Sequence, residues 1–243
     1  MKWTCGMPAA AGGRGMDLPR KLLRPAAVDL ALDRSLVMRL LGYKEGRTQL
    51  QPQHLALVDR GIAMTVAAAT PQVSLAYCAV AVADQTVATL LPGLAWRSRS
   101  LARLLRGAAG VYLVAATLGP GVDELVASLF RQEEYALATI ADAAGSALIH
   151  ALGEYVRTAL AEEGSLTALY GPGYGDWPVG DQIALTQAAG GPLIGLTSSE
   201  TCYLEPQKSL VGVMGVGSPG GRGGCSLCTM AGCTYRERGG AHT

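Results

Sequence analysis

Aromatic rings are scarce in this chain: nine tyrosines, three tryptophans and a single phenylalanine make up 5% of 243 residues. A core must therefore come mostly from aliphatic and alanine packing, and 49% hydrophobic content with 32 glycines suits close helix contacts and many tight turns. A charge excess is lacking as well, with 20 basic residues against 19 acidic ones and a net charge of +1, so the global balance calls for neither nucleic acid nor an anionic membrane. The stretch from Ile62 to Ala83 carries no charge, but Pro71 and Gln72 cut it and Asp84 closes it. It reads as a helix end, a turn and a strand, not as a membrane span. Residues 1–25 mix Gly, Pro, Arg and Lys without the apolar core of a secretory signal, and we expect a poorly ordered lead-in there. Six cysteines without an export signal point to a reducing compartment, the cytoplasm, and to ligand use instead of disulfides. No nucleophile triad emerges, because His54, His150 and His242 lie in different segments. Gly215-Val216-Gly217 lacks the Lys-Ser/Thr ending of a phosphate loop, and no internal repeat is present.

Against that background one segment stands out. Tyr170-Gly171-Pro172-Gly173-Tyr174-Gly175-Asp176-Trp177-Pro178 gathers three of the few rings among glycines and prolines. Proline fixes φ and removes a donor while glycine reaches conformations closed to side chains, so the segment reads as a sharply shaped loop. Its rings either wall a site for something flat or partly apolar, or plug the loop onto the core. Elsewhere the pattern is regular. Asp33 caps a short helix with Leu36, Val37, Leu40 and Leu41 on one face and Gly42 at its end. Pro52 starts a second helix running to about Ala69, and Gln72–Ala83 reads as strand. A capped helix near 98–106 carries Arg97, Arg99, Arg103 and Arg106 on a solvated basic face, and 111–116 is a buried strand. Asp123 and Glu124 are first-turn acids of a further helix. The strongest helix spans about 133–162, with Leu137, Ile140, Ala144, Leu148, Leu152, Val156 and Leu160 as its core stripe. Beyond Gly164 we expect loop and strand, with strands at 193–196, 202–204 and 210–216. Helices among sparse strands without regular alternation argue for an α+β fold.

Cys225-x-x-Cys228-x-x-x-x-Cys233, with Gly223, Gly224 and Gly232 around it, is dense enough for three sulfurs to converge on one metal centre. Zinc or an iron–sulfur cluster usually takes four ligands, and Cys202, Cys5, His242 or an external molecule could supply the fourth. The chain then divides into the lead-in (1–25), an α+β domain (26–222) and a cysteine-rich tail (223–243).

The ordered set of the 170–178 loop, Asp181-Gln182, Ile194-Gly195-Leu196-Thr197 and Pro206-Gln207-Lys208-Ser209-Leu210 resembles the activation (reactivation) domain of vitamin B12-dependent methionine synthase, in its short free-standing bacterial form. Val37 to Tyr43, Ala115 to Gly119, Ile140 to Ser146 and the closing cysteine motif with Tyr235-Arg236 match in the same order, so the resemblance covers about residues 30–236. It implies a twisted mixed or antiparallel sheet with flanking helices. It also implies S-adenosylmethionine bound over Tyr170, Gly171, Pro172, Gly173 and Tyr174, and a partner carrying cobalamin, a corrinoid-binding methionine synthase or methyltransferase. An electron donor such as a flavodoxin or ferredoxin would reduce cob(II)alamin before methylation, and the chain would show little turnover alone. A non-enzymatic electron-transfer or assembly module acting through the cysteine centre is the alternative. The chain departs from the family pattern at Leu169, where an arginine able to hold the methionine carboxylate usually stands, and at His150, where a glutamate is frequent.

Overall fold

The structure is a computed structural model, and it describes residues 20–44, 46–84, 86–89 and 94–217. Its frame is an antiparallel sheet in the order β4-β3-β2-β5-β8, with β1 also pairing to β2. The strands are β1 (Arg20–Leu23), β2 (Gln72–Ala83), β3 (Thr86–Thr89), β4 (Ala95–Arg97), β5 (Gly110–Thr117) and β8 (Ser209–Val216), while β6 (Thr197–Ser198) and β7 (Leu204–Glu205) form a separate short hairpin. β2 is long enough to hold β1 along its first half, through Leu23↔Val73 to Arg20↔Ala76, and β3 along its second, through Val80↔Thr89 to Ala83↔Thr86. The expected lead-in thus yields at its end, because Lys21 and Leu22 find the open edge of β2.

Strand alternation sends apolar residues to both faces of the sheet, and both receive helices. On one face Val73, Leu75, Val114, Ala116 and Met214 pack under Leu148, Leu152 and Val156 of α5 (Tyr135–Ala159). Behind α5 lie α1 (Arg34–Leu40), α2 (Pro52–Ala68) and α4 (Gly121–Arg131). Asp33 caps α1 by accepting from the Ser35 amide at 2.8 Å, and Gly42 at φ +82° turns the chain away, as the sequence predicts. α2 approaches α5 closely because Gly61 faces Ile140 with no side chain between them, and Thr65 satisfies its buried hydroxyl on the Gly61 carbonyl at 2.9 Å. α5 is long and apolar enough to cross a membrane by length and composition, yet 67% of its apolar window is buried inside the protein, which marks a core helix.

The opposite face carries Ala76, Cys78, Val111, Leu113, Val211 and Val213, covered by α3 (Arg99–Leu104), the 170–178 loop, α6 (Asp181–Ala188) and a 3-10 turn at Gly191–Ile194. Three expectations for the last third need correction. Residues 181–188 are helical, where loop and strand were expected, and the apolar run at 193–196 belongs to the 3-10 turn and its exit. Gly190 and Gly195 take left-handed φ on either side of that turn, and Pro192 favours its start, so Leu193, Ile194 and Leu196 never extend into a ladder. Of the expected strand at 202–204 only Leu204 joins one, since Cys202 sits at φ +63° in the hairpin turn. Of the expected basic face, Arg99 and Arg103 lie on α3 with Arg106 just past its end, while Arg97 belongs to β4; all four are exposed.

Candidate functional site

Residues leading into the glycine-rich loop run beside β8. The Thr167 amide donates to the Gly215 carbonyl at 3.0 Å, and Tyr170 exchanges two backbone bonds with Val213 at 3.0 and 2.8 Å. Immediately afterwards the chain leaves this edge through a near-contact of two backbones. A Cβ on Gly171 would stand 2.6 Å from the Val211 carbonyl oxygen, and one on Gly212 would stand 2.7 Å from that of Tyr170. Only glycine fits on both sides of this crossing. The loop then folds on itself: the Tyr174 amide donates to Gly171 at 3.1 Å, the Trp177 amide to Tyr174 at 3.0 Å and the Gly173 amide to Trp177 at 2.9 Å.

The three rings divide between the two roles the sequence left open. Tyr170 and Trp177 are fully buried and stacked, with centroids 6.2 Å apart and planes 9° from parallel, and Trp96 of β4 meets Trp177 edge-on at 5.2 Å. These rings are plugs, and they anchor the loop to the sheet. Tyr174 stands edge-on to Tyr170 at 5.6 Å but is 56% exposed, so it is the ring the loop presents to solvent. Of the five residues expected to bind a ligand, Tyr170, Gly171 and Pro172 are buried in the loop's base, and Gly173 and Tyr174 form its exposed crest.

Two carboxylates hold the loop at its far end. Asp176 accepts from the Ser98 hydroxyl at 2.6 Å and from the amides of Arg99 and Ser100 at 2.8 and 3.0 Å, so it sits on the open N-terminus of α3. Burial alone would raise its pKa, but these hydrogen bonds, led by Ser98, outweigh it and hold the carboxyl well below the usual range. Asp181, in the first turn of α6, accepts from the Trp177 indole N–H at 2.9 Å. Its surroundings push its pKa up through desolvation, against the indole bond that lowers it. Next to it, Gln182 donates to the Cys202 carbonyl at 2.7 Å and ties the β6–β7 hairpin to α6. Asp176 and Asp181 were visible in the sequence only as acids near a loop. Their partners Ser98 and Trp177 are fixed by tertiary contact, and local pattern carries no signal for that.

Leu169, one residue before the loop, faces the other side of the sheet. Its methyl carbons stand 3.7 Å from the Cβ position of Gly153 on α5 and 3.0 Å from that of Gly212. The side chain therefore fills the space two glycines leave, and it offers an anion no hydrogen bond. Two cations of the fold, Lys208 and Arg157, already have partners. Lys208 donates to Asp142 at 2.6 Å and to Ser146 at 3.1 Å, and Arg157 pairs with Glu154 at 2.8 Å. His150 is exposed on α5.

The predicted metal ligands Cys225, Cys228 and Cys233 lie outside the described residues, as do Cys5 and His242. Cys202, the possible fourth ligand, is half-buried at the hairpin turn. Among the described residues no three His, Cys, Asp or Glu side chains come together to hold a metal. Cys78 is buried in the sheet, and desolvation pushes its thiol up to about 11, so it is a packing residue.

No described protein family and no curated protein matches the chain in sequence. Among solved structures, the chain is similar to the crystal structure of the MetH reactivation domain bound to AdoHcy. The TM-score is 0.65 at 12% identity, over 88% of this chain and 82% of that one. At this identity the likeness is one of fold: an α+β domain with a curled antiparallel sheet and helices on its faces is the architecture of that reactivation domain.

Proposed function

We propose that this chain is a stand-alone reactivation partner of a cobalamin-dependent methionine synthase or related corrinoid methyltransferase, and that it binds S-adenosylmethionine for the reductive methylation of the partner's cob(II)alamin. The observation that carries the reading is the fold shared, over most of both chains, with a reactivation domain whose solved structure holds AdoHcy. The glycine crossing at Gly171 and Gly212 supports it, since it fixes an exposed crest of Gly173 and Tyr174 on a rigid base. In this reading the sulfonium compound supplies the methyl group and the partner's corrinoid receives it after one electron from a flavodoxin or ferredoxin. The chain's own task is to orient the donor and exclude water, which needs a preorganised loop more than titrating side chains. The setting is the cytoplasm, and zinc or an iron–sulfur cluster on Cys225, Cys228 and Cys233 belongs to the same proposal.

Calorimetric titration with S-adenosylhomocysteine and S-adenosylmethionine tests the binding step. Saturable heat that is lost on Tyr174→Ala supports it, and no heat at millimolar ligand ends it. Turnover appears only when a methionine synthase lacking its own activation domain, a reductant and the chain are combined.

Leu169 favours a second reading, a non-enzymatic electron-transfer or assembly module acting through the cysteine segment, because an apolar residue stands where the family's carboxylate anchor is usual. Visible absorption of anaerobically purified protein, with zinc and iron analysis, decides whether a redox centre is there for that role.

A further inference from the structure

Apart from the buried Ser74, β2 is apolar on both faces from Val73 to Ala83, a pattern that belongs to a strand covered on both sides. In the structure the helical cover runs out part-way across it. Met214, Tyr112 and Tyr77 stand in one cross-strand row on the α5 side of the sheet. Met214 on β8 is 1% exposed, Tyr112 on β5 is half-buried, and Tyr77 on β2 is 41% exposed. Beyond Tyr77 the same face continues as Ala79, half-buried, then Ala81 and Ala83, and on to Thr86 and Ala95, all four exposed. Among the described residues, Arg97 at its rim and Lys21, paired with Leu75 beside Tyr77, bring charge to this face. The other side of these strands is sealed by Val87 and Trp96, so the uncovered area is confined to one face at one end of the sheet.

The last described residues of the chain lie near this place. Val216 pairs with Gly110, and Gly110 pairs with Ala79, so the last described turn, Gly217 at φ +75°, lies two strands from the alanine row. Two strand spacings are about 10 Å, and at about 3.3 Å per extended residue only a few residues are needed to reach it. Residues 218–243 follow, with Leu227, Met230 and Tyr235 as apolar groups of a size to cover small side chains. We propose that residues 218–243 dock on the sheet face formed by Tyr77, Ala79, Ala81, Ala83, Thr86 and Ala95, and so place Cys225, Cys228 and Cys233 against the β2–β4 end of the fold. The inference stands apart from the methyl-donor reading, because it rests on cover and connectivity alone.

Hydroxyl-radical footprinting of the full chain, read by mass spectrometry, tests it. With the segment docked, Tyr77 falls from 41% exposure to that of a buried side chain, and its labelling is about fourfold slower than in a chain ending at Gly217. Tyr170, fully buried, reports folding in both and stays unlabelled. If the shortened chain fails that control, full-length Ala81→Asp decides, because a charge on the face releases the segment and speeds Tyr77 labelling while Tyr170 stays protected. Equal Tyr77 labelling in the full and shortened folded chains overturns the proposal. So does unchanged labelling in Ala81→Asp, protection that grows with protein concentration alongside a dimer in sedimentation, or protection lost only on removing residues 1–19.

Discussion

Replacing Asp176 tests the claim that this carboxylate, and not a ligand, holds the far end of the 170–178 loop. Three donors converge on it: the Ser98 hydroxyl at 2.6 Å and the amides of Arg99 and Ser100 at 2.8 and 3.0 Å. Buried hydrogen bonds to a charged group contribute about 1.5–3 kcal/mol each, and a lost helix cap costs about 0.5–2 kcal/mol. Asp176 is exposed, so water replaces part of what is lost at the two amides, and we expect Asp176→Ala to cost about 1–2 kcal/mol in all. For a domain of this size that lowers Tm by about 3–6 °C. Asp176→Asn keeps one acceptor and costs less. The pH dependence has a definite sign. The folded carboxyl titrates below its unfolded value of about 3.9, so its stabilising contribution is complete above that value and is lost as pH falls toward the folded pKa. In urea denaturation the gap between wild type and Asp176→Asn is constant from about pH 5 to 7 and closes below about pH 4. An Asp176→Ala protein as stable as wild type at pH 7, or a gap that widens in acid, would refute the reasoning.

Asp181 behaves in the opposite sense. Because burial raises its pKa, wild-type stability relative to Asp181→Asn is greatest below the unfolded value and declines as pH rises through the folded one, while Asp181→Ala leaves the Trp177 indole N–H without its acceptor and costs about 1–2 kcal/mol below the unfolded value, less as pH rises. Gly171→Ala drives a methyl carbon onto the Val211 carbonyl and costs about 1–3 kcal/mol, measured by thermal denaturation, and it weakens any binding of S-adenosylhomocysteine in calorimetry. Leu169→Arg can keep its stem against Gly153 while its guanidinium reaches solvent, so if the methyl-donor reading holds, S-adenosylhomocysteine binds at least about tenfold more tightly to the variant. Cys78 stays unmodified by iodoacetamide at pH 8 in the native protein and reacts on unfolding, as mass spectrometry of the labelled peptide would show.

The parts of the fold that could be read from the sequence are those whose reasons are local. β2 runs from Gln72 to Ala83 as its apolar run and flanking turn predict, and α1 starts at its Asp33 cap and ends at Gly42. α5 is shorter at both ends than its stripe suggests, since Glu133 at φ +62° belongs to the preceding turn and the chain past Ala159 tightens into 3-10 geometry. The parts that were missed depend on distant partners. β1 exists because β2 has a free edge for Lys21 and Leu22, and α6 is held by Trp177 and the β6–β7 hairpin more than by any stripe of its own.

The same division runs through the candidate site. Glycine and proline content announced a shaped loop, but ring content could not say which aromatics face inward, because Trp96 on β4 decides the fate of Trp177, and the Tyr170 ring follows by stacking on it. With two rings committed to the core and Asp176 committed to α3, the loop backbone has little freedom left, and Tyr174 stands edge-on to Tyr170 at its crest. A loop fixed in this way loses little entropy on meeting a ligand, which suits the presentation of a methyl donor. It also concentrates the question of affinity on the neighbouring position, where Leu169 packs between Gly153 and Gly212 and contributes shape without charge.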